Sequence, residues 1–170
     1  AGVQLFRLPS DGTLKPVKVL PLGVVPRTVA AAGRYAYVPA RSGNAATLAV
    51  VKLSLGVLHR HVPIAGGLAV TGLVIDGDIL WAIAKTTLLS FRISGDDLLP
   101  LGTLALGNLA ASANEPGLEL TAGNGRVYIG GLNGFQVIDG SDPSVPKLLA
   151  AVSSAQPWAA CASSGLESWT

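Results

Sequence analysis

The amino-acid sequence predicts an all-β chain of four-stranded antiparallel blades, a β-propeller holding about four blades' worth of strands. Three observations carry this. Short apolar runs alternate with Gly, Pro, Asp, Asn and Ser along the whole chain, the pattern of strands and tight turns. No long window shows the 3.6-residue apolar period of a helix. Segments of two independent kinds recur with one spacing of about 44 residues, close to the range for a propeller blade.

The first kind is a strand closing on a charged residue. Val3–Arg7, Leu48–Lys52, Leu88–Arg92 and Phe135–Asp139 are its copies, which makes Arg7, Lys52, Arg92 and Asp139 equivalent. The second kind is a glycine-led turn and a strand carrying an aromatic residue: Gly33–Val38, Gly77–Ala82, Gly125–Ile129 and a truncated copy from Gly165. Tyr37, Trp81, Tyr128 and Trp169 fall nearly in register within it.

Two further segments complete the unit. Thr28–Ala32, Thr71–Ile75, Leu118–Ala122 and Trp158–Ala162 precede the glycine turn and are small and apolar, as suits an innermost strand crowded toward an axis. Pro16–Leu20, Val57–Ile64, Leu99–Leu106 and Pro146–Val152 follow the charged strand and mix polar residues with proline, which an outer edge strand tolerates. Within a third strand, alternation turns Leu5 and Arg7 one way and Gln4 and Phe6 the other. The resulting division is a half blade over 1–26, blades over 27–67, 68–106 and 107–154, and the start of another over 155–170.

A blade buries both faces only against neighbours. Two arrangements are open. The C-terminal inner and second strands could join the N-terminal third and outer strands and close a compact ring of four blades, or the chain is an arc of a larger propeller. The ending at Ser168-Trp169-Thr170 favours the arc. The opening Ala1-Gly2-Val3, without Met or a signal peptide, reads as a processed or excised segment.

The 170 residues are enough for one domain with a substantial core. Apolar residues make up 49% of them and charged residues 13%, so the chain folds rather than staying disordered. A net charge of +2 gives no reason to expect nucleic acid or an anionic membrane as a partner. No apolar run approaches the length of about 18 residues that spans a bilayer. Cys161 is the single cysteine, which excludes an intrachain disulfide and reads as a small buried hydrophobe.

The unit from Gly125 to Pro146 resembles the LVIVD repeat of bacterial and archaeal surface proteins. Phe135–Asp139 takes the place of the Leu-Val-Ile-Val-Asp strand, and Ser141-Asp142-Pro143-Ser144-Val145-Pro146 matches the Ser-Asp-Pro-x-x-Pro turn. The other units depart from it: Arg7, Lys52 and Arg92 replace the aspartate. The resemblance implies a propeller fold and a secreted or cell-surface setting. It implies no activity, because these repeats are structural.

Few residues suggest chemistry. His59 and His61, at i and i+2 on an outer strand, share a face and read as solvated rather than as metal ligands. Asp76-Gly77-Asp78 and Asp139–Asp142 supply too few oxygens for a calcium loop and read as turns. Arg27, Thr71, Glu119 and Ala159 occupy equivalent positions six residues before the turn glycine, and the first three are candidates to line a central channel. The irregular stretch from Gly107 to Pro116 holds Asn108, Ser112, Asn114 and Glu115, a candidate contact loop. No nucleophile elbow or phosphate loop is present, and no catalytic, metal or cofactor residue is assigned.

The expected function is a non-enzymatic propeller module for protein–protein interaction or cell-surface assembly. Its partners would be other protein chains or the missing remainder of the same polypeptide. Two alternatives stand beside it: an arc of a propeller enzyme, a hydrolase or quinone-dependent dehydrogenase, with its catalytic residues elsewhere, and a glycan-binding propeller lectin.

Overall fold

The computed structural model describes residues 2–7, 9–107, 119–131 and 134–153. They form fourteen strands: β1 (Gly2–Arg7), β2 (Lys15–Pro21), β3 (Ala30–Ala32), β4 (Tyr35–Ser42), β5 (Ala45–Lys52), β6 (Val57–Pro63), β7 (Val70–Asp76), β8 (Ile79–Ala84), β9 (Thr87–Ser94), β10 (Asp97–Ala105), β11 (Glu119–Gly123), β12 (Arg126–Gly131), β13 (Gly134–Asp139) and β14 (Lys147–Ser153). A short 3-10 turn lies at Ala65–Gly67. The strands make one two-stranded sheet, β1-β2, and three four-stranded sheets, β3-β4-β5-β6, β7-β8-β9-β10 and β11-β12-β13-β14. Every described pairing is antiparallel and sequential, as in propeller blades.

The chain divides into two compact units, residues 1–70 and 71–170. The first contains the half blade β1-β2 and the blade β3–β6. The second contains the blades β7–β10 and β11–β14. For brevity the four sheets are called the half blade, the first, the second and the third blade.

Tight turns follow from local chemistry. Asn124 and Gly125 join β11 to β12 with φ of 54° and 71°. Two positive φ values are what a type I′ hairpin demands, and Asn-Gly is the pair that adopts them most readily. Burial concentrates on the middle strands. Val38, Leu48, Val50 and Val51 in β4 and β5, and Leu80, Ala82, Ile83 and Leu88 in β8 and β9, are wholly buried. The outer strands are exposed; in β14 every residue is.

One feature repeats without any sequence marker of its own. Each third-to-fourth-strand ladder slips by one residue, between Leu5 and Phe6, Val50 and Val51, Ser90 and Phe91, and Val137 and Ile138. The extra residues on the outer strands are Val17, His59, Leu101 and Leu149. The slip always lies just before the residue that precedes Arg7, Lys52, Arg92 or Asp139, so the register of the repeat and of the backbone coincide. A bulge bends and twists an edge strand, which discourages pairing with a stray strand.

Three local expectations need correction. The bulge at His59 breaks the simple i, i+2 alternation expected for His59 and His61. β3 begins at Ala30, so Arg27 precedes the strand in an exposed bend rather than lying on it. The first sheet strand of that blade is therefore only three residues long.

Candidate interaction surface

In the first unit one face of the half blade closes on the first blade. Val3, Leu5 and Leu20 pack with Leu22 against Ala36, Val38, Ala40, Ala49 and Val51. Residues directly opposite in an antiparallel pair share a face, so Val3 with Leu20 presents one side, and Gln4 with Val19 the other. The turn after β5 leans on the half blade: a Cβ on Gly56 would lie 3.2 Å from Leu5 Cδ1. This seam is apolar and made largely of small side chains.

In the second unit the second and third blades meet through larger groups. Trp81, Ile83, Leu88 and Leu106 pack with Val127, Ile129 and Ile138. Polar bonds cross the same seam. The Gln136 side-chain amide donates to the Leu106 carbonyl at 2.9 Å, while its Oε1 is buried with no partner among the described residues. Ser90 is 1% exposed. It accepts the Gly102 N–H at 2.9 Å, and its hydroxyl lies within donating distance of the carbonyls of Gly102 and Pro143.

Pro143 belongs to the turn between β13 and β14, which is stiffened by two tandem aspartate turns. Asp139 Oδ1 accepts the Ser141 N–H at 3.1 Å and hydroxyl at 2.7 Å. Asp142 Oδ1 accepts the Ser144 N–H at 3.0 Å and hydroxyl at 2.6 Å. These bonds, led by the serine hydroxyls, hold both carboxyls below the usual carboxylate range, with Lys147 adding to both. The turn seats against two contacts that exclude a side chain. A Cβ on Gly140 would come 2.8 Å from Trp81 Cζ2, and one on Gly102 would come 2.5 Å from the Ser144 carbonyl oxygen.

The outer faces contrast with the seams. On the far side of the third blade, Thr121, Tyr128 and Val137 lie in one row and Gly130 and Phe135 in the next. Tyr128 and Phe135 stack with ring centroids 6.2 Å apart. All of these except Gly130 keep partial exposure, and Val152, opposite Phe135, is 54% exposed. The matching positions of the second blade, Trp81, Leu88 and Ser90, are buried against the third. On the far side of the half blade Phe6 is 51% and Val19 62% exposed.

The residues singled out in the sequence are scattered. Thr71 lies on β7, half-buried, with its hydroxyl 3.5 Å from the Ile83 carbonyl. Glu119 opens β11, exposed and opposite Gly130. Asn108, Ser112, Asn114, Glu115, Ala159, Cys161 and Trp169 lie outside the described residues. His61 Nδ1 is 2.9 Å from the Thr47 hydroxyl, while His59 rests against the Tyr35 ring with centroids 6.2 Å apart. Among the described residues no three His, Cys, Asp or Glu side chains gather where they could hold a metal ion, and no helix is long and apolar enough to cross a membrane. Sequence reading missed Ser90 and Gly102. A polar residue on a buried third strand, set opposite a glycine of the outer strand, was the available signal.

No family model matches the chain, and no curated protein matches it in sequence. Solved structures do. The chain is similar to a candidate 6-phosphogluconolactonase of Bacteroides fragilis at 13% identity and a TM-score of 0.68, covering 90% of this chain and 52% of that one. It is similar to a protein from Lactobacillus plantarum at 15% identity and a TM-score of 0.62, covering 88% and 50%. A functionally unknown protein from Desulfotomaculum acetoxidans matches at 14% identity and a TM-score of 0.60, covering 86% and 48%. The chain thus spans about half the length of these structures. At such identities the likeness speaks for the fold alone, and with the blade topology it makes the chain a propeller module.

Proposed function

We propose that this chain is a non-enzymatic propeller module, of the LVIVD-repeat kind, that works in protein–protein interaction within a secreted or cell-surface assembly. The observation that carries the reading is exposed apolar surface at Phe6, 51% exposed, and at partly exposed Tyr128, whose repeat equivalents, Val51, Phe91 and Ile138 for the first and Tyr37 and Trp81 for the second, are buried. Stacked blade faces are stabilised by roughly 25 cal/mol per Å² of apolar area removed from water, so an uncovered face favours association with another protein surface. The Ser-Asp-Pro turn and its aspartate bonds support the LVIVD assignment.

Two measurements test this. The purified chain is assayed for hydrolysis of 6-phosphogluconolactone; no turnover above buffer is expected, and turnover would overturn the non-enzymatic reading in favour of an enzyme arc. Intact producing cells are treated with a membrane-impermeant amine reagent. Labelling of Lys15, Lys18 and Lys147 is expected, and its absence with labelling in broken cells would overturn the surface location.

A further inference from the structure

We propose that the end of the first unit that carries the β1–β2 connection and the β5–β6 turn docks on an anionic lipid surface, through cations set around exposed leucines. The total charge of +2 hides a split. Residues 1–70 hold eight lysines and arginines against one acid, Asp11, a net charge of +7. Residues 71–170 hold four against nine acids, a net charge of −5. Taken over the whole chain, the charge gives no reason to expect an anionic partner. Taken over the first unit, it gives a strong one.

The cations gather at one end of two neighbouring sheets. Arg7 closes β1 opposite Lys15, which opens β2. Lys52 closes β5, and just beyond it the Leu53 N–H donates to the Arg34 carbonyl at 2.9 Å. The two sheets meet at the β5–β6 turn: a Cβ on Gly56 would lie 3.2 Å from the Leu5 tip and 3.9 Å from the Lys18 side chain. Arg7, Lys15, Lys18 and Arg34 are exposed. Among them stand leucines that bury little: Leu14, beside Lys15, is 62% exposed, and Leu55, in the turn, is 63% exposed. The unit's single acid, Asp11, lies 3.6 Å from Lys15 Nζ and offsets only that cation.

A nucleic acid or an acidic glycan would use the charges and leave the leucines in water. An acidic protein would need a surface shaped to two turn tips. A bilayer takes both groups without a fitted shape, the leucines at the acyl boundary and the cations at the phosphates. Blade stacking covers sheet faces rather than the turns at their ends, so flanking blades do not compete for this end. The contact is separate from the protein–protein reading above. It is reversible, which leaves Lys15 and Lys18 reachable by an aqueous reagent between encounters.

Co-sedimentation of the purified chain with vesicles tests the proposal. Vesicles of phosphatidylcholine mixed with phosphatidylglycerol are expected to carry the chain down, vesicles of phosphatidylcholine alone are not, and added salt is expected to weaken the binding. Lys18→Gln should lower the partition about fivefold, the effect of one charge near an anionic surface. Lys147→Gln removes the same charge from the second unit and should change it less than about twofold. Leu55→Gln should lower it about fivefold through lost apolar contact. Circular dichroism checks that each variant keeps its sheet content, and Arg34→Gln repeats the charge arm should Lys18→Gln lose its fold. Equal losses for Lys18→Gln and Lys147→Gln, equal binding to both kinds of vesicle, or a Leu55→Gln chain that binds as the wild type does would each overturn the proposal. Retention on immobilised polyglutamate without vesicle binding would overturn it in favour of an acidic protein. A chain that ignores vesicles leaves the protein–protein reading standing, whereas lactone turnover would remove that reading and leave vesicle binding untouched.

Discussion

The seam of the first unit and the seam of the second are built on the same blade plan with different chemistry. The first joins Val3, Leu5, Leu20 and Leu22 to three alanines, Val38 and Val51, with a turn whose glycine meets the tip of Leu5 and the side chain of Lys18. The second centres on Trp81 and adds a polar seat in which Ser90 and Gly102 receive the Pro143–Ser144 backbone. The contrast teaches that blade stacking needs only apolar complementarity, while choice of neighbour is supplied by a few groups with strict geometry. Apolar packing tolerates shape changes of similar volume; a backbone carbonyl lodged against a missing Cβ does not.

Three perturbations sharpen that contrast. The largest effect is expected for Trp81→Ala. It empties the centre of the second seam and should cost about 3–5 kcal/mol in urea unfolding; a loss below about 1 kcal/mol would mean that the indole is not the keystone. Next comes Gly102→Ala, expected to cost about 2 kcal/mol through overpacking against the Ser144 carbonyl. The matched change Gly56→Ala meets the flexible Leu5 tip at 3.2 Å, the Lys18 side chain at an ordinary 3.9 Å and a φ of 58°, and should cost about 1 kcal/mol. Equal losses for the two glycines would erase the distinction between the seams.

The smallest effect is a pH dependence. Asp139 and Asp142 titrate below the usual range because serine bonds favour their charged forms. Their contribution is present above the unfolded carboxylate pKa and is lost as pH falls through the lowered folded values. The protection of the Ser141 and Ser144 amides against exchange, relative to the free-peptide rate at each pH, should therefore fall in acid below about pH 4, with the protection of the Ala36–Val38 amides of the first seam unchanged. A uniform loss of protection across both would refute a local effect.

The blade plan was readable because its markers are covalent facts repeated at one spacing. Arg7, Lys52 and Asp139 do end third strands, while β9 runs two residues past Arg92 to Ser94, and Tyr37, Trp81 and Tyr128 do share a register. Tyr37 shows where reading stops. It is wholly buried, with a hydroxyl lacking a partner among the described residues and a pKa raised by desolvation and by Tyr35, and nothing in its repeat position distinguishes it from half-exposed Tyr128. The bulges were illegible for a related reason. Val17, His59, Leu101 and Leu149 share no side-chain property, because an edge bulge answers to sheet twist rather than to one residue's preference. The pairing of Ser90 with Pro143 joins positions 53 residues apart, and no local pattern encodes that reach.

The seat made by Ser90 and Gly102 has a consequence for how such a chain can grow by gene duplication. At the corresponding places the third blade carries Val137 and Ala150, and the first carries Val50 and Arg60. A tandem copy of the third blade inserted after itself would bring its Asp-Pro loop to a valine with no hydroxyl and to a methyl group where the glycine should be. Modules that look interchangeable in outline thus bear addresses, and the order of repeats along the polypeptide is written in two residues.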